Sequence, residues 1–136
     1  MTTLAQYERV RAALAEAARI DQVLPILDEI EHVKLYARQI ADRELLADAS
    51  VYQMKAERRL GEVIAAAKEA GHFKQGKRKK SDPELSRVTL EEAGVDRKLS
   101  QRAQRAASIS ERAYDAMMER RRQGILAGAA IVIDPL

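Results

Sequence analysis

Apolar residues recur every three or four positions through most of the chain, the period of helices that bury one face. Leu4, Tyr7, Val10, Leu14 and Ala18 form a first stripe, and Thr3 with Gln6 has the spacing of a capping box at its start. Ile20 to Leu24 reads as a break, with Asp21 as a cap and Pro25 in the first turn of the next helix. A second stripe follows in Ile26, Ile30, Val33, Ala37 and Ile40, and a third in Leu45, Ala49, Tyr52, Ala56, Leu60, Val63 and Ala67. The step from Ile40 to Leu45 is out of phase with both. Either Asp42 caps a new helix after a tight turn, or one helix continues with a bend. A continuous helix from Pro25 to Ala70 would run about 69 Å with no partner for its stripe, so a break near Asp42 is the expectation. Gly71 should end the third helix. The narrow, alanine-rich seams of residues 1–71 predict self-association, a homodimer through the N-terminal helices.

Residues 72–87 lose the periodicity. They hold Gly76, the run Lys77-Arg78-Lys79-Lys80 and the turn-forming Ser81-Asp82-Pro83, and read as a cationic loop. From Thr89 the pattern returns in compressed form. Thr89 and Glu92 make a capping box, Gly94 suits the left-handed turn that stops a short helix, and Asp96 caps a second helix in which Leu99, Ala103 and Ala106 share a face. The opposite face carries Arg97, Lys98, Gln101, Arg102, Gln104 and Arg105, with no acid. A short helix, a tight turn and a basic, amide-bearing helix form the layout of a helix-turn-helix DNA reader. Ser110 caps one more helix, with Ile109 stapled to Tyr114, Met117 and Met118 on its inner face, and an end near Gly124 behind a solvated Arg120-Arg121-Arg122. The apolar tail 125–136 is open to two readings, a strand or a strap across helices.

Composition sharpens this picture. One Phe, four Tyr and no Trp leave alanine and aliphatic residues to fill the interior, which favours closely packed helices. The net charge of +3 hides an asymmetry: residues 1–70 carry −2 and residues 71–136 carry +5. The surplus lies between Lys74 and Arg105, where ten cations face five acids, the electrostatic footprint of a polyanion partner. No cysteine is present, which excludes disulfides and fits a cytoplasmic setting. No apolar run reaches membrane-spanning length, and the first residues lack the form of a signal peptide.

The stretch TLEEAGVDRKLSQRAQRAASISERAYDAMMERRRQG resembles the helix-turn-helix region of ParB-type partition proteins and their regulatory relatives, although Ser108-Ile109-Ser110 stands where those carry a Leu-Pro loop. The chain as a whole is similar to small helical proteins of phages and other bacterial mobile elements. Those have segments like Tyr36-Ala37-Arg38-Gln39 and Ala56-Glu57-Arg58-Arg59-Leu60-Gly61-Glu62, a basic Gly-Lys-Arg linker, and Thr-Leu…Ala-Gly-Val before Lys98-Leu99-Ser100. The first resemblance implies DNA binding. The second implies little function. No nucleotide-binding motif accompanies either, and Glu57-Arg58-Arg59 on a long helix is given no such role.

Enzyme chemistry finds no footing. His32 and His72 are 40 residues apart with no partner at metal-ligand spacing, and the acidic residues fall at spacings typical of exposed helical ion pairs. No catalytic residue, metal or cofactor is expected. The reading is an all-α protein with an oligomerisation region (1–71), a basic linker (72–87), a helix-turn-helix unit (88–124) and a tail (125–136). Its expected function is sequence-specific binding of double-stranded DNA as a transcriptional regulator of a phage or mobile element. Residues 97–107 would enter a major groove, where Gln101 and Gln104 read adenine and Arg102 or Arg105 reads guanine or holds phosphate. Arg97, Lys98 and Ser100 would lie at the same surface, while Lys74, Lys77, Arg78, Lys79 and Lys80 grip phosphates. The alternatives are a protein-binding modulator, such as a phage inhibitor or antitoxin-like factor, and a terminase-like small subunit.

Overall fold

The computed structural model describes residues 3–71, 89–90 and 92–128, and within these the side chains of residues 3–7 and 15 are not described. The described residues form five helices: α1 (Thr3–Glu16), α2 (Ile20–Gln39), α3 (Arg43–Glu69), α4 (Arg97–Ser108) and α5 (Glu111–Leu126). The described part is all helical, with no strand. No helix among the described residues is long and apolar enough to cross a membrane. The expected Thr3–Gln6 box, the Leu4 and Tyr7 contacts, the basic run 74–80 and residues 129–136 of the tail lie outside what is described.

Helix α3 is the common partner on which α2, α4 and α5 all pack. That explains why one apolar stripe underestimates its burial. Ala49, Ala56, Leu60 and Val63 are buried as the stripe predicts, and so are Leu46, Ala47, Ser50, Gly61 and Ile64 around the helix. The main core joins Val23, Ile26, Ile30 and Val33 of α2 to Leu60, Val63 and Ile64 of α3, Val10 of α1, Val95 just before α4 and Ala103 within it. A second cluster seats Ile125 of α5 on Ala37, Leu46 and Ala47. A third gathers Ala106, Tyr114 and Met118, with Val51, Met54, Ile109 and Met117 packed against it.

The turn between α2 and α3 follows from local chemistry. Asp42 accepts the Leu45 amide at 3.0 Å, an N-cap that starts α3 afresh. Ala41 takes φ 56, the left-handed conformation more often held by glycine, and the Asp42 amide reaches back to the Ala37 carbonyl at 2.9 Å. The chain is therefore broken here, and α2 and α3 are separate helices. Ile40, placed on the buried stripe by its spacing, instead follows the end of α2 and is 49% exposed.

The earlier break moves. It lies at residues 17–19, and Ile20 begins α2 as a buried residue. Gln22, not Asp21, organises this start: its side-chain oxygen accepts from the amides of Ala18 at 2.8 Å and Arg19 at 3.0 Å. Ala17 is buried and Ala18 exposed, a one-residue correction to the first stripe. Pro25 sits inside α2, beyond its first turn, and forfeits one backbone bond there. At the other end α5 passes through Gly124 to Leu126 and stops at Gly128, φ 95. Ile125 and Leu126 thus belong to α5 rather than to a tail. Arg122 is not a solvated end either, since it pairs with Asp48 of α3.

Candidate nucleic-acid interface

Thr89, Leu90 and residues 92–94 form a turn leading into α4. The Thr89 amide donates to Glu92 Oε1 at 2.8 Å, and the Glu92 amide donates to Thr89 Oγ1 at 3.1 Å, so both arms of the capping box are present. The Ala93 amide closes the turn on the Thr89 carbonyl, and the Val95 amide reaches the Leu90 carbonyl across Gly94, φ 96. Val95, 1% exposed, is driven into the main core and fixes the point from which α4 departs. Asp96 then caps α4, its Oδ1 accepting the Leu99 amide at 2.8 Å.

Helix α4 sits unusually close to α3. A Cβ built on Gly61 would lie 2.0 Å from the Ala103 carbonyl oxygen and 2.8 Å from the Ala107 Cβ. Only glycine in α3 and alanines in α4 permit this backbone-to-backbone approach. The seat is pinned on both flanks. Lys68 donates to Gln104 Oε1 at 3.0 Å, and Gln104 Nε2 donates to Ser100 Oγ at 2.7 Å. Arg102 faces Glu57 at 3.5 Å, and Arg58 donates to the Ala106 carbonyl at 3.4 Å.

The predicted reading residues therefore divide. Arg97, Lys98, Gln101 and Arg105 are exposed and lie together on the outer side of α4. Lys98, Gln101 and Arg105, at positions i, i+3 and i+7, make a ridge about 10 Å long. Arg102 is exposed but leans toward Glu57 at the edge. Ser100 is 7% exposed and belongs to the inner face. Gln104, half-buried, spends its amide on Lys68 and Ser100, which removes it from the set of outward amides. Among the described residues, Arg97, Lys98 and Arg105 form no ion pair, and α4 itself contains no acid.

Behind α4 stands Tyr114 of α5. Its hydroxyl donates to the Met54 carbonyl at 2.8 Å, and the Arg58 guanidinium lies 5.2 Å from its ring centre. Burial, aided by the Glu57 charge and opposed by Arg58, pushes its pKa from 10.0 up to about 12. Arg59, which the sequence left without a role, donates to the Ala17 carbonyl at 2.7 Å and ties α3 to the α1–α2 junction. His32 is exposed on α2.

Two features escaped sequence reasoning. One is the Gly61 seat, whose only signal is a glycine in the middle of a helix. The other is a cleft of about 860 Å³ beside α4, floored by Lys34 and Ser50 and walled by Gln53 and Glu57. Lys34 interrupts α2 with a charge at a buried position, 3% exposed. No protein-family model matches the chain, and no curated protein and no solved structure matches it either.

Proposed function

We propose that this protein binds double-stranded DNA sequence-specifically, with residues 89–94 and α4 acting as a helix-turn-helix unit whose α4 lies in the major groove. The observation that carries the reading is the outer face of α4: three cations and an amide project outward, no acid interrupts them, and the inner face is locked to α3. A B-form major groove is about 12 Å wide and admits one helix. Gln101 is the adenine reader, since its amide can both donate and accept along one base edge. Arg105 takes guanine, being on the outer ridge and unengaged by carboxylates among the described residues. Arg97 and Lys98, at the first turn, hold phosphate together with Lys74 and Lys77 to Lys80. The exposed Leu35, Tyr36 and Ile40 at the end of α2 supply an apolar patch for pairing two copies over a two-fold site. Regulation of a phage or mobile-element gene is the role that fits the resemblance of residues 89–124 to ParB-type partition proteins and their regulatory relatives, taken with the resemblance of the whole chain to phage and mobile-element proteins.

Fluorescence anisotropy with a selected site and scrambled duplexes tests this reading. Gln101→Ala should cost about 1–3 kcal/mol at one base pair and relax preference there. Arg97→Ala should weaken all duplexes alike and lower the salt slope by about one. Equal binding of every duplex by wild type and both variants would refute it.

A further inference from the structure

The cleft beside α4 has the chemistry of an anion site, and the helix pair α2–α3, α4 and α5 all contribute to it. We propose that it binds a small phosphorylated ligand by recognising a terminal mono- or diphosphate group. Three observations support this. First, the charge is one-sided: Lys34, Lys98, Arg102, Arg105 and Arg121 line the cleft against Glu31 and Glu57. Arg102 faces Glu57, and Lys34 faces Glu31 at 3.8 Å. Lys98, Arg105 and Arg121 have no carboxylate partner among the described residues.

Second, the floor is underused. The Ser50 hydroxyl, in a residue only 2% exposed, has no hydrogen-bond partner among the described residues, and a buried polar group without one is costly. Beside it Lys34, buried and already bonded to Gln53 and facing Glu31, brings a positive charge to the same floor. A phosphoryl oxygen accepts from hydroxyl and guanidinium alike, so one ligand group can satisfy the Ser50 hydroxyl and the guanidinium of Arg121 together. Third, the dimensions select a small molecule. The cleft volume falls within the range of small-molecule pockets, about 300–1,000 Å³. Lys34 and Ser50, at 3% and 2% exposure, lie too deep for the backbone of a duplex. Met54 adds an apolar wall for a base or ring attached to the phosphate.

The ligand shares Lys98, Gln101, Arg102 and Arg105 with the α4 surface assigned to DNA. Occupancy of the cleft draws these side chains inward and neutralises Lys98, Arg102 and Arg105, so ligand and DNA compete. This regulatory part rests on the DNA-binding reading; the cleft itself does not.

Calorimetric titration of the full chain with pyrophosphate and with a nucleoside diphosphate, at matched ionic strength and with sulfate as control, tests the site. Saturable one-to-one binding of either phosphorylated probe, absent for sulfate, is the expected result. Ser50→Ala and Arg121→Ala should each weaken it about tenfold or more, the loss of one charge-assisted bond. Neither residue lies on α4, so both variants should bind duplex DNA as wild type does when no probe is present, which also shows that they fold. No saturable binding, or binding unchanged in both variants, overturns the proposal. So does an equal loss of duplex affinity in both, which would make the cleft a seat for DNA phosphate. Probe binding without any DNA binding would leave the cleft standing and defeat the DNA reading; the reverse would do the opposite.

Discussion

Replacing Gly61 by alanine should destabilise the protein, although the residue sits inside a helix where alanine is ordinarily the better choice. In an exposed helix interior the change would gain about 1 kcal/mol of propensity. Here the new methyl would stand 2.0 Å from the Ala103 carbonyl oxygen and 2.6 Å from its carbon. Ordinary contact begins at 3.4 Å, so α4 must retreat by more than an ångström from α3. Backbone cannot swing aside as a side chain can. Overpacking of this kind costs about 1–3 kcal/mol, and here the upper end applies, plus loss of the bonds that Lys68 and Arg58 make to α4. The net expectation is a loss of at least about 2 kcal/mol, which in a chain of this size lowers Tm by about 8 °C or more. Gly124→Ala supplies the control, because nothing lies within 4 Å of its Cβ position in α5. It should raise stability by about 0.5–1 kcal/mol. Thermal unfolding followed by circular dichroism compares the two. If Gly61→Ala is as stable as Gly124→Ala, the close seat of α4 on α3 is wrong.

Other perturbations probe the turns, caps and core separately. Ala41→Gly should stabilise by about 0.5–1 kcal/mol in urea denaturation, since the φ of 56 strains an alanine but not a glycine; a loss of stability would contradict the left-handed turn. Asp42→Ala and Asp96→Ala should each cost about 1 kcal/mol while the asparagine variants stay near wild type, and alanine and asparagine variants of equal stability would deny the caps. Tyr114→Phe should cost about 1 kcal/mol at neutral pH through the bond lost to the Met54 carbonyl. The raised pKa adds a pH signature: the folded state holds the phenolic proton more tightly than the unfolded chain. That stabilisation is complete below pH 10.0 and fades as pH rises toward about 12. Urea midpoints of wild type and Tyr114→Phe should therefore converge across that window, and parallel profiles would exclude a buried, proton-retaining phenol.

Much of the helical frame was legible because caps and stripes are local signals. Asp42, Asp96 and Ser110 each accept the amide three residues on, and the Thr89–Glu92 box closes as spacing implies. Gly71 and Gly94 both adopt positive φ. The errors have physical causes. Pro25 suggested a helix start, yet the apolar Ile20 and Val23 already belong to the stripe of α2, and the first break falls before them. At the second turn no glycine marks the left-handed position, because Ala41 occupies it. Gly124 looked like a stop, but the tertiary contact of Ile125 with Ala37, Leu46 and Ala47 draws α5 past it. At the candidate interface, charge and periodicity located Arg97, Lys98, Gln101 and Arg105 on one outer face. They failed for Gln104, because the Lys68 that donates to it lies on α3, far away in sequence, and for Ser100, which sits on the inner face one turn earlier in α4 and accepts from Gln104. Long-range pairing of this sort leaves no periodic trace.

The central claim is that the outer face of α4 engages DNA. Its most direct test is binding of the purified chain to random-sequence and selected duplexes at low and at physiological salt. Affinity that falls steeply with salt on every duplex, with one sequence held more tightly at both concentrations, is the predicted result. No binding even at low salt would contradict it.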